Sequence, residues 1–385
     1  MKIALVHDLL VKLWWAEKVL KKLLDMYPQA DIFTLIYDEE KVGKDFPKSK
    51  IKYIPKRNQF IYNLTKNQRF CLPFMSAGVE SMDLSEYDVV IVSNSAFAHG
   101  VITKPETKTI VYYHTPARYM WDRTNEYKRE IGWNSGIKKF ILNWMLKSLR
   151  MWDFAASQRH DITLANSSNV VRRLKKYYKL DAEVIYPNVE VERFNKKITN
   201  PYLTLPLNLM EGDWYYIIIS ALTEFKKIDT SIKAFNAMPD KNLIIVWTGN
   251  YREELEKMSQ KNIYFVGPKY DDELVYLLQN AKWLIFSGEE DFGIVPIEAF
   301  GAGKPVFAYQ AWWLAETMIQ WVTGEFFTQK DGSDFIENFK IFDSNISAWK
   351  YNSQETQKHA QNFSEDIFEQ KIRSIVEDTK KNVQS

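Results

Sequence analysis

The chain has 385 residues, 46% hydrophobic and 26% charged, a length that suggests two domains with a core each. Lys and Arg number 51 against 49 Asp and Glu, and a net charge of +2 argues against a nucleic-acid binder working by bulk charge. One cysteine, Cys71, excludes an internal disulfide and suits a reducing cytoplasm. No apolar run reaches the roughly 18 residues of a transmembrane helix, and the start from Met1 to Asp8 meets charge too soon for a signal peptide. The expectation is a soluble or peripheral protein.

Residues 2–7 read as a buried first strand, followed by a loop and a helix over 16–26. Further strands are predicted at 31–35, 88–93, 109–114 and 161–167, and 182–186 closes the first half. Between Pro187 and Asp213 three prolines interrupt the pattern, with 191–213 read as the linker. Strands then restart at 215–220, 242–246, 263–266, 283–287 and 305–308, separated by helices. Apolar strands alternating with helices call for parallel sheets covered on both faces. The expected fold class is therefore α/β, with Rossmann-like, doubly wound domains at 1–190 and 214–363. An amphipathic segment, 364–385, follows them. Ligands are expected at the C-terminal ends of the strands.

The stretch from Ser287 to Gly301 carries the most chemistry. A short apolar run ends there in Gly288, Glu289, Glu290, Asp291, Phe292 and Gly293, then enters a helix with Pro296 in its first turn. Such a helix start offers unpaired amides and a positive dipole end, which together hold an anion such as phosphate. Glu290 and Glu298 are separated by seven residues. Other strand ends are polar too. They include Lys226 within 220–227, His114 within 113–119, Ser93 to Gly100, Asn166 with Ser167, Gly249 with Asn250, and Gly267. A lone histidine is often a structural hydrogen-bonder, Asn166 and Ser167 also suit a helix N-cap, and Arg118 has Asp122 within reach of a salt bridge. No Gly-x-Gly-x-x-Gly follows the first strand, against a dinucleotide-dependent oxidoreductase. No cluster with metal-ligand spacing stands out. Within 132–152, Ile137, Phe140, Ile141, Trp144, Met145 and Leu149 form an apolar stripe beside Lys138, Lys139, Lys147 and Arg150. A basic amphipathic helix with tryptophan fits an interfacial membrane contact, and a domain-packing helix fits as well.

The wording Glu-Glu-Asp-Phe-Gly-Ile-Val-Pro-Ile-Glu-Ala over 289–299 resembles the E-x7-E signature of the retaining glycosyltransferases of family 4, which have the two-domain GT-B fold. It is similar to that family's bacterial mannosyltransferase branch, and the resemblance covers nearly the whole chain. It implies two domains facing a central cleft, with the C-terminal helix crossing back onto the first. By resemblance, Glu290 contacts the transferred sugar, and Glu298 binds the nucleotide ribose. Amides of Phe292, Gly293, Ile294 and Val295 meet sugar and phosphate, and Lys226 steadies the diphosphate. His114 lies under the sugar, while Gly249, Asn250 and Gly267 line the nucleotide. The implied donor is GDP-mannose and the implied acceptor a glycan or lipid-linked glycan. The family works without a metal or other cofactor.

The chain departs from the family in a consistent way. Tryptophans 14, 15, 247, 312, 313 and 321 occupy places where glycine is expected, and Ala221 stands where an arginine is usual. Glycine permits positive φ and close approach to a ligand, so Trp there is expected to strain the loop by ~1–2 kcal/mol. Each indole also carries on the order of 200 Å² of surface. The alternative expectation is an altered GT-B scaffold whose cleft Trp14, Trp15, Trp247, Trp312 and Trp313 plug.

Overall fold

The computed structural model describes residues 1–133, 135–199, 214–288, 290–310, 314–347 and 351–383. They form two compact units, one of Met1–Asn188 with Phe368–Ser385, the other of Val189–Ile367.

In the first unit, seven strands form one sheet. They are β1 (Ile3–His7), β2 (Asp31–Thr34), β3 (Ile51–Tyr53), β4 (Val89–Asn94), β5 (Lys108–Tyr113), β6 (Ile162–Ala165) and β7 (Glu183–Val184). Their order is β3-β2-β1-β4-β5-β6-β7 and every pairing is parallel. Strand side chains alternate between faces, and the core divides accordingly. Val6, Val90, Val92, Val111 and Tyr113 pack under the Lys56–Thr65, Met75–Glu80, Gly136–Ala156 and Ser168–Tyr177 helices. Leu5, Ile91, Ile110 and Tyr112 face the opposite way, against the Trp15–Met26 helix and the end of the chain. There Phe368, Ile372 and Val376 of the Glu365–Val383 helix are buried, the Phe368 ring lies 5.9 Å from Tyr112, and Lys22 pairs with Glu369 at 3.2 Å.

The second unit is a six-stranded parallel sheet: β8 (Tyr215–Ile219), β9 (Asn242–Val246), β10 (Ile263–Gly267), β11 (Leu284–Phe286), β12 (Val306–Tyr309) and β13 (Gly324–Phe327). Its order is β10-β9-β8-β11-β12-β13. One face carries an aromatic core in which fully buried Trp283 sits 4.5 Å from Tyr216 and 4.6 Å from Phe342. Strand order reverses between β1 and β4 and again between β8 and β11. Neighbouring connections there leave on opposite faces, so the strand ends stay open to a ligand.

The strands expected from the sequence are present. Two were not anticipated, β3 and β13, which are three and four residues long and lie at sheet edges. The stretch read as a linker differs in its first part. Val191–Asn195 is a helix within the second unit, and Gly301 approaches it so closely that a Cβ would lie 3.0 Å from the Val191 carbonyl oxygen. Residues 200–213 lie outside the described residues.

Candidate active site

In the second unit, the loops after β8 and β11 lie side by side because their strands pair. The Ser231 and Ser287 hydroxyls are hydrogen-bonded in the interior beneath them. Above, Gly288 passes the Lys226 backbone so closely that a Cβ would lie 3.0 Å from its carbonyl oxygen and 3.1 Å from its Cα. That contact sets the Lys226 ammonium on the Glu290 carboxylate as an ion pair and hydrogen bond, both side chains partly buried. Two of the side chains singled out in the sequence thus meet. Gly288 and Ser231, which hold the loops together, were missed; a conspicuous glycine in a chain with only 14 was the available signal.

The next element is the Ile294–Gly301 helix, buried along its length. Gly293 caps it with φ 74°, a left-handed conformation that glycine adopts without cost. The first-turn amides of Ile294 and Val295 have no carbonyl partner within the helix, and Pro296 in third place has no N–H. The start of this helix therefore offers few donors, all on consecutive residues. Phe292 is buried 6.1 Å from Phe363, and Glu298 is buried in the second turn.

The three predicted nucleotide residues have distinct settings. At Gly249 a Cβ would fall 2.1 Å from the Leu222 carbonyl oxygen, so glycine is dictated by the packing of the β8 and β9 loops. Leu222 donates to the Thr248 carbonyl at 3.1 Å and accepts from the Tyr251 amide at 3.0 Å across the same contact. Asn250 is exposed on the adjoining turn. Gly267 ends β10 at φ 74° with open space where a side chain would project, and its carbonyl accepts the Trp247 amide at 2.9 Å.

In the first unit, His114 follows β5. Its amide donates to the Asn94 carbonyl at 2.9 Å, and its carbonyl accepts from the Asn166 side chain at 2.9 Å. Its Nε2 lies 2.8 Å from the Ser93 hydroxyl, which is 3.0 Å from His7 Nδ1. His7 Nδ1 is also 3.1 Å from the Ser93 carbonyl oxygen, and a carbonyl only accepts. His7 Nδ1 is therefore the protonated nitrogen. The Ser93 hydroxyl accepts from it and donates to His114 Nε2, so the network assigns the His114 hydrogen to Nδ1. Burial, with help from nearby His7, depresses the His114 pKa to about 3, and the ring is neutral. Behind it, His7 Nε2 lies 3.7 Å from Glu17, whose other oxygen accepts the Trp14 amide at 2.8 Å. Ser93, His7 and Glu17 were not assigned roles from the sequence, because only β1–β4–β5 pairing brings them together. Asp8 serves the scaffold here, its carboxylate accepting the amides of Ser95, Ala96, Phe97 and Ala98 at 2.5–3.1 Å. Ser167 caps the following helix through the Val170 amide at 3.2 Å, and Arg118 pairs with Asp122 at 3.2 Å.

The tryptophans behave in two ways. Trp14 is extended (φ −117°), and Trp14 and Trp15 are 50% and 37% exposed, with the Lys12 ammonium 3.0 Å from the first ring centre and that of Lys18 4.7 Å from the second. The expected strain is found instead at Trp247 (φ 109°) and Trp321 (φ 67°), in the backbone region that favours glycine. Trp312 and Trp313 lie outside the described residues. The 132–152 stripe also divides. On the Gly136–Ala156 helix, Leu149 is buried in the core with Met145 against it, while Ile137, Phe140, Ile141 and Trp144 are exposed. Among the described residues, no helix is long and apolar enough to cross a membrane, and no group of three or more His, Cys, Asp or Glu gathers that could hold a metal.

Residues 16–193 match the model of the family described as Glycosyltransferase Family 4, and residues 206–356 that of Glycosyl transferases group 1. Among curated proteins, the chain is similar to two alpha-1,3/1,6-mannosyltransferases called ALG2. That of Saccharomyces cerevisiae is 22% identical, over 63% of this chain and 54% of that protein. That of Dictyostelium discoideum is 23% identical, over 76% and 75%. The match to the yeast protein thus spans little more than half its length. Among solved structures, Anabaena Alr3699/HepE in complex with UDP superposes with a TM-score of 0.70 at 15% identity, covering 98% of this chain and all of that one.

Proposed function

We propose that the chain is a glycosyltransferase of the family 4, GT-B type, which the two matching family models and the GT-B fold support, and that it transfers a hexose from a nucleotide sugar, with retention of configuration and without a metal. The mannosyl donor, GDP-mannose, is favoured by the wording of 289–299 and by the activity that names the ALG2 relatives. The acceptor is a glycan or a lipid-linked glycan. The observation that carries this reading is the Lys226–Glu290 pair at the β8/β11 switch point, beside the start of the Ile294–Gly301 helix.

In the reaction, the bond from C1 of the sugar to the donor phosphate oxygen breaks. A bond from C1 to the acceptor oxygen forms on the same face, and the departing phosphate takes the acceptor proton. No protein nucleophile is needed. Lys226 neutralises the leaving diphosphate, aided by the amides of Phe292, Gly293, Ile294 and Val295. Glu290 passes from its partner lysine to the sugar hydroxyls, and Glu298 holds the ribose. Asn250, with the loops that Gly249 and Gly267 shape, borders the base. His114 supports the reacting face as a neutral ring. The exposed Ile137, Phe140, Ile141 and Trp144 beside Lys138, Lys139 and Lys147 support a peripheral contact with the inner face of the cell membrane as part of this reading.

The test is a thermal-shift screen of GDP, UDP and ADP sugars followed by a transfer assay with the stabilising donor. Stabilisation by GDP-mannose with transfer of mannose is expected; transfer from a UDP sugar alone would overturn the donor. A second reading, an impaired scaffold, is favoured by the left-handed Trp247 and Trp321 and by Ala221. It predicts a cooperative melt that no donor moves.

A further inference from the structure

Charge along this chain is nearly balanced, yet it is unevenly laid out. The longest stretch without Asp or Glu runs from Phe46 to Val79 and holds seven Lys or Arg; the next, from Ile131 to Trp152, holds four. The third, from Ile162 to Leu180, holds five. All three contribute to the same face of the first sheet. Tyr62, Leu72, Met75 and Val79 from the first, Leu142, Leu146 and Leu149 from the second, and Val170 and Leu174 from the third share one core beneath it. The opposite face, built on the Trp15–Met26 and Glu365–Val383 helices, interleaves acids with its cations.

Exposed apolar side chains follow the same division. Among the described residues of the first unit, every large hydrophobic side chain at least 60% exposed lies in the first or second acid-free stretch. Phe60, Leu64 and Phe70 project from the Lys56–Thr65 helix and the turn after it, among exposed Lys56, Arg57, Lys66 and Arg69. Phe140 and Trp144 project from the Gly136–Ala156 helix, whose buried stripe of Leu142, Leu146 and Leu149 lies on its other side. That helix is therefore apolar on two sides, only one of which its own unit covers. Acids from other segments border them, Asp38 accepting from the Tyr62 hydroxyl at 2.7 Å and Glu80 from the Trp152 indole at 2.8 Å. Two such patches, each from a stretch with cations and no acid of its own, over one core face, are nonetheless a coincidence that folding alone does not require.

We infer that this face of the first unit docks on an anionic lipid surface at two points, the 137–144 turns and a second anchor formed by Phe60, Leu64 and Phe70. The inference rests on the membrane contact in the proposed function, and on neither the donor nor the reaction. Charge complementarity identifies the occupant. Of the eleven cations in the two anchor stretches, Lys48 is paired with Glu39 at 3.5 Å and Arg150 donates to the Met120 carbonyl at 2.9 Å. The exposed Lys56, Arg57 and Lys66 at one anchor and Lys138, Lys139 and Lys147 at the other match a negatively charged headgroup layer. Aliphatic tips such as Leu64 and Ile137 find no partner on a nucleic acid but enter the acyl boundary readily, while the lysines keep their heads in water. The third stretch adds charge without an anchor, since among its described residues no large hydrophobic is exposed, and Lys175 is paired with Asp181.

The test is co-sedimentation of the full chain with phosphatidylcholine vesicles, with and without phosphatidylglycerol. Three variants are compared with wild type: Phe60→Ser/Leu64→Ser/Phe70→Ser, Phe140→Ser/Trp144→Ser, and Lys56→Gln/Arg57→Gln/Lys66→Gln. All replaced side chains are exposed, and unchanged melting temperatures confirm folding. Binding only to the anionic vesicles is expected, with each apolar variant weakened about tenfold or more and the charge variant weakened most at low salt. If the Phe60 set binds as wild type while the Phe140 set does not, the second anchor is wrong and the single contact stands. If wild type binds neither vesicle, both readings of the surface fail. If the apolar variants convert a dimer to a monomer in size-exclusion chromatography, the face joins two copies of the chain and the lipid inference is overturned.

Discussion

The two units place polar groups at the C-terminal ends of their central strands with opposite electrostatics. In the second unit, Lys226 and Glu290 form a charged pair within reach of solvent. In the first, His7, Ser93 and His114 form a hydrogen-bonded line in which burial holds the last ring neutral, at a pKa of about 3. A charged pair can change partners: in the proposed reaction an incoming diphosphate would replace the carboxylate at Lys226 while the sugar hydroxyls would take up Glu290. The hydrogen-bonded line is preset, because each hydrogen bond fixes the direction of the next and leaves His114 with its N–H on Nδ1. One unit is thus built to exchange partners and the other to hold an orientation.

Lys226→Ala should break the comparison most severely. Loss of the cation facing the leaving diphosphate is expected to lower kcat/KM by about 10²–10³-fold in the transfer assay, with the melting temperature little changed. Glu290→Gln should separate the partners' roles. Transfer falls, while nucleoside diphosphate binding is kept or tightened because Lys226 has lost its competitor. Gly249→Ala should be the most damaging structural change in the second unit, since its Cβ would meet the Leu222 carbonyl oxygen at 2.1 Å. A loss on the order of 2–4 kcal/mol in denaturant unfolding is expected.

Acid should act mainly on the first unit. His114 and His160 are held neutral by burial, with pKa values near 3 and 4, below the ordinary 6.5. As pH falls below 6.5 the unfolded chain takes up protons that the folded chain refuses. Each histidine therefore withdraws about 1.4 kcal/mol of stability per pH unit until its folded pKa is reached. Urea unfolding between pH 7 and 4 should show this loss, and His160→Gln should flatten the slope. Ser93→Ala should be milder. It removes the bridge between two rings, lowering kcat about tenfold with little change in donor KM and leaving Lys226 paired.

The smallest effects concern the tryptophans. Trp247→Gly and Trp321→Gly relieve a left-handed backbone worth ~1–2 kcal/mol and give back ~0.5–1 kcal/mol in chain entropy, for a slight net gain in melting temperature. A fall on substitution would mean that the indole contacts, such as Trp247 on Tyr270 at 5.1 Å, outweigh the strain.

Much of this organisation was legible in the sequence because parallel strands buried on both faces are written as unbroken apolar runs. The short edge strands β3 and β13 carry little of that signal and went unseen. That Lys226 and Glu290 lie on neighbouring strand-end loops was readable because each comes shortly after such a run. The relay behind His114 was not, since Ser93, His7 and Glu17 come from three separate segments and acquire meaning only through strand order. Gly249 shows the limit of reading roles from residue type: its glycine answers to the Leu222 carbonyl, whatever the nucleotide does. The 132–152 stripe was recognised as apolar, but periodicity could not tell that Leu149 points inward while Trp144 points to solvent.

The central claim is that Lys226 and Glu290 mark the diphosphate site of a nucleotide-sugar transferase. Calorimetric titration of GDP and GDP-mannose into wild type, Lys226→Ala and Glu290→Gln tests it most directly. The account predicts saturable binding to wild type, at least tenfold weaker binding of GDP to Lys226→Ala, and undiminished binding of GDP to Glu290→Gln. Equal affinity of wild type and Lys226→Ala for GDP, in proteins that melt alike, would contradict it.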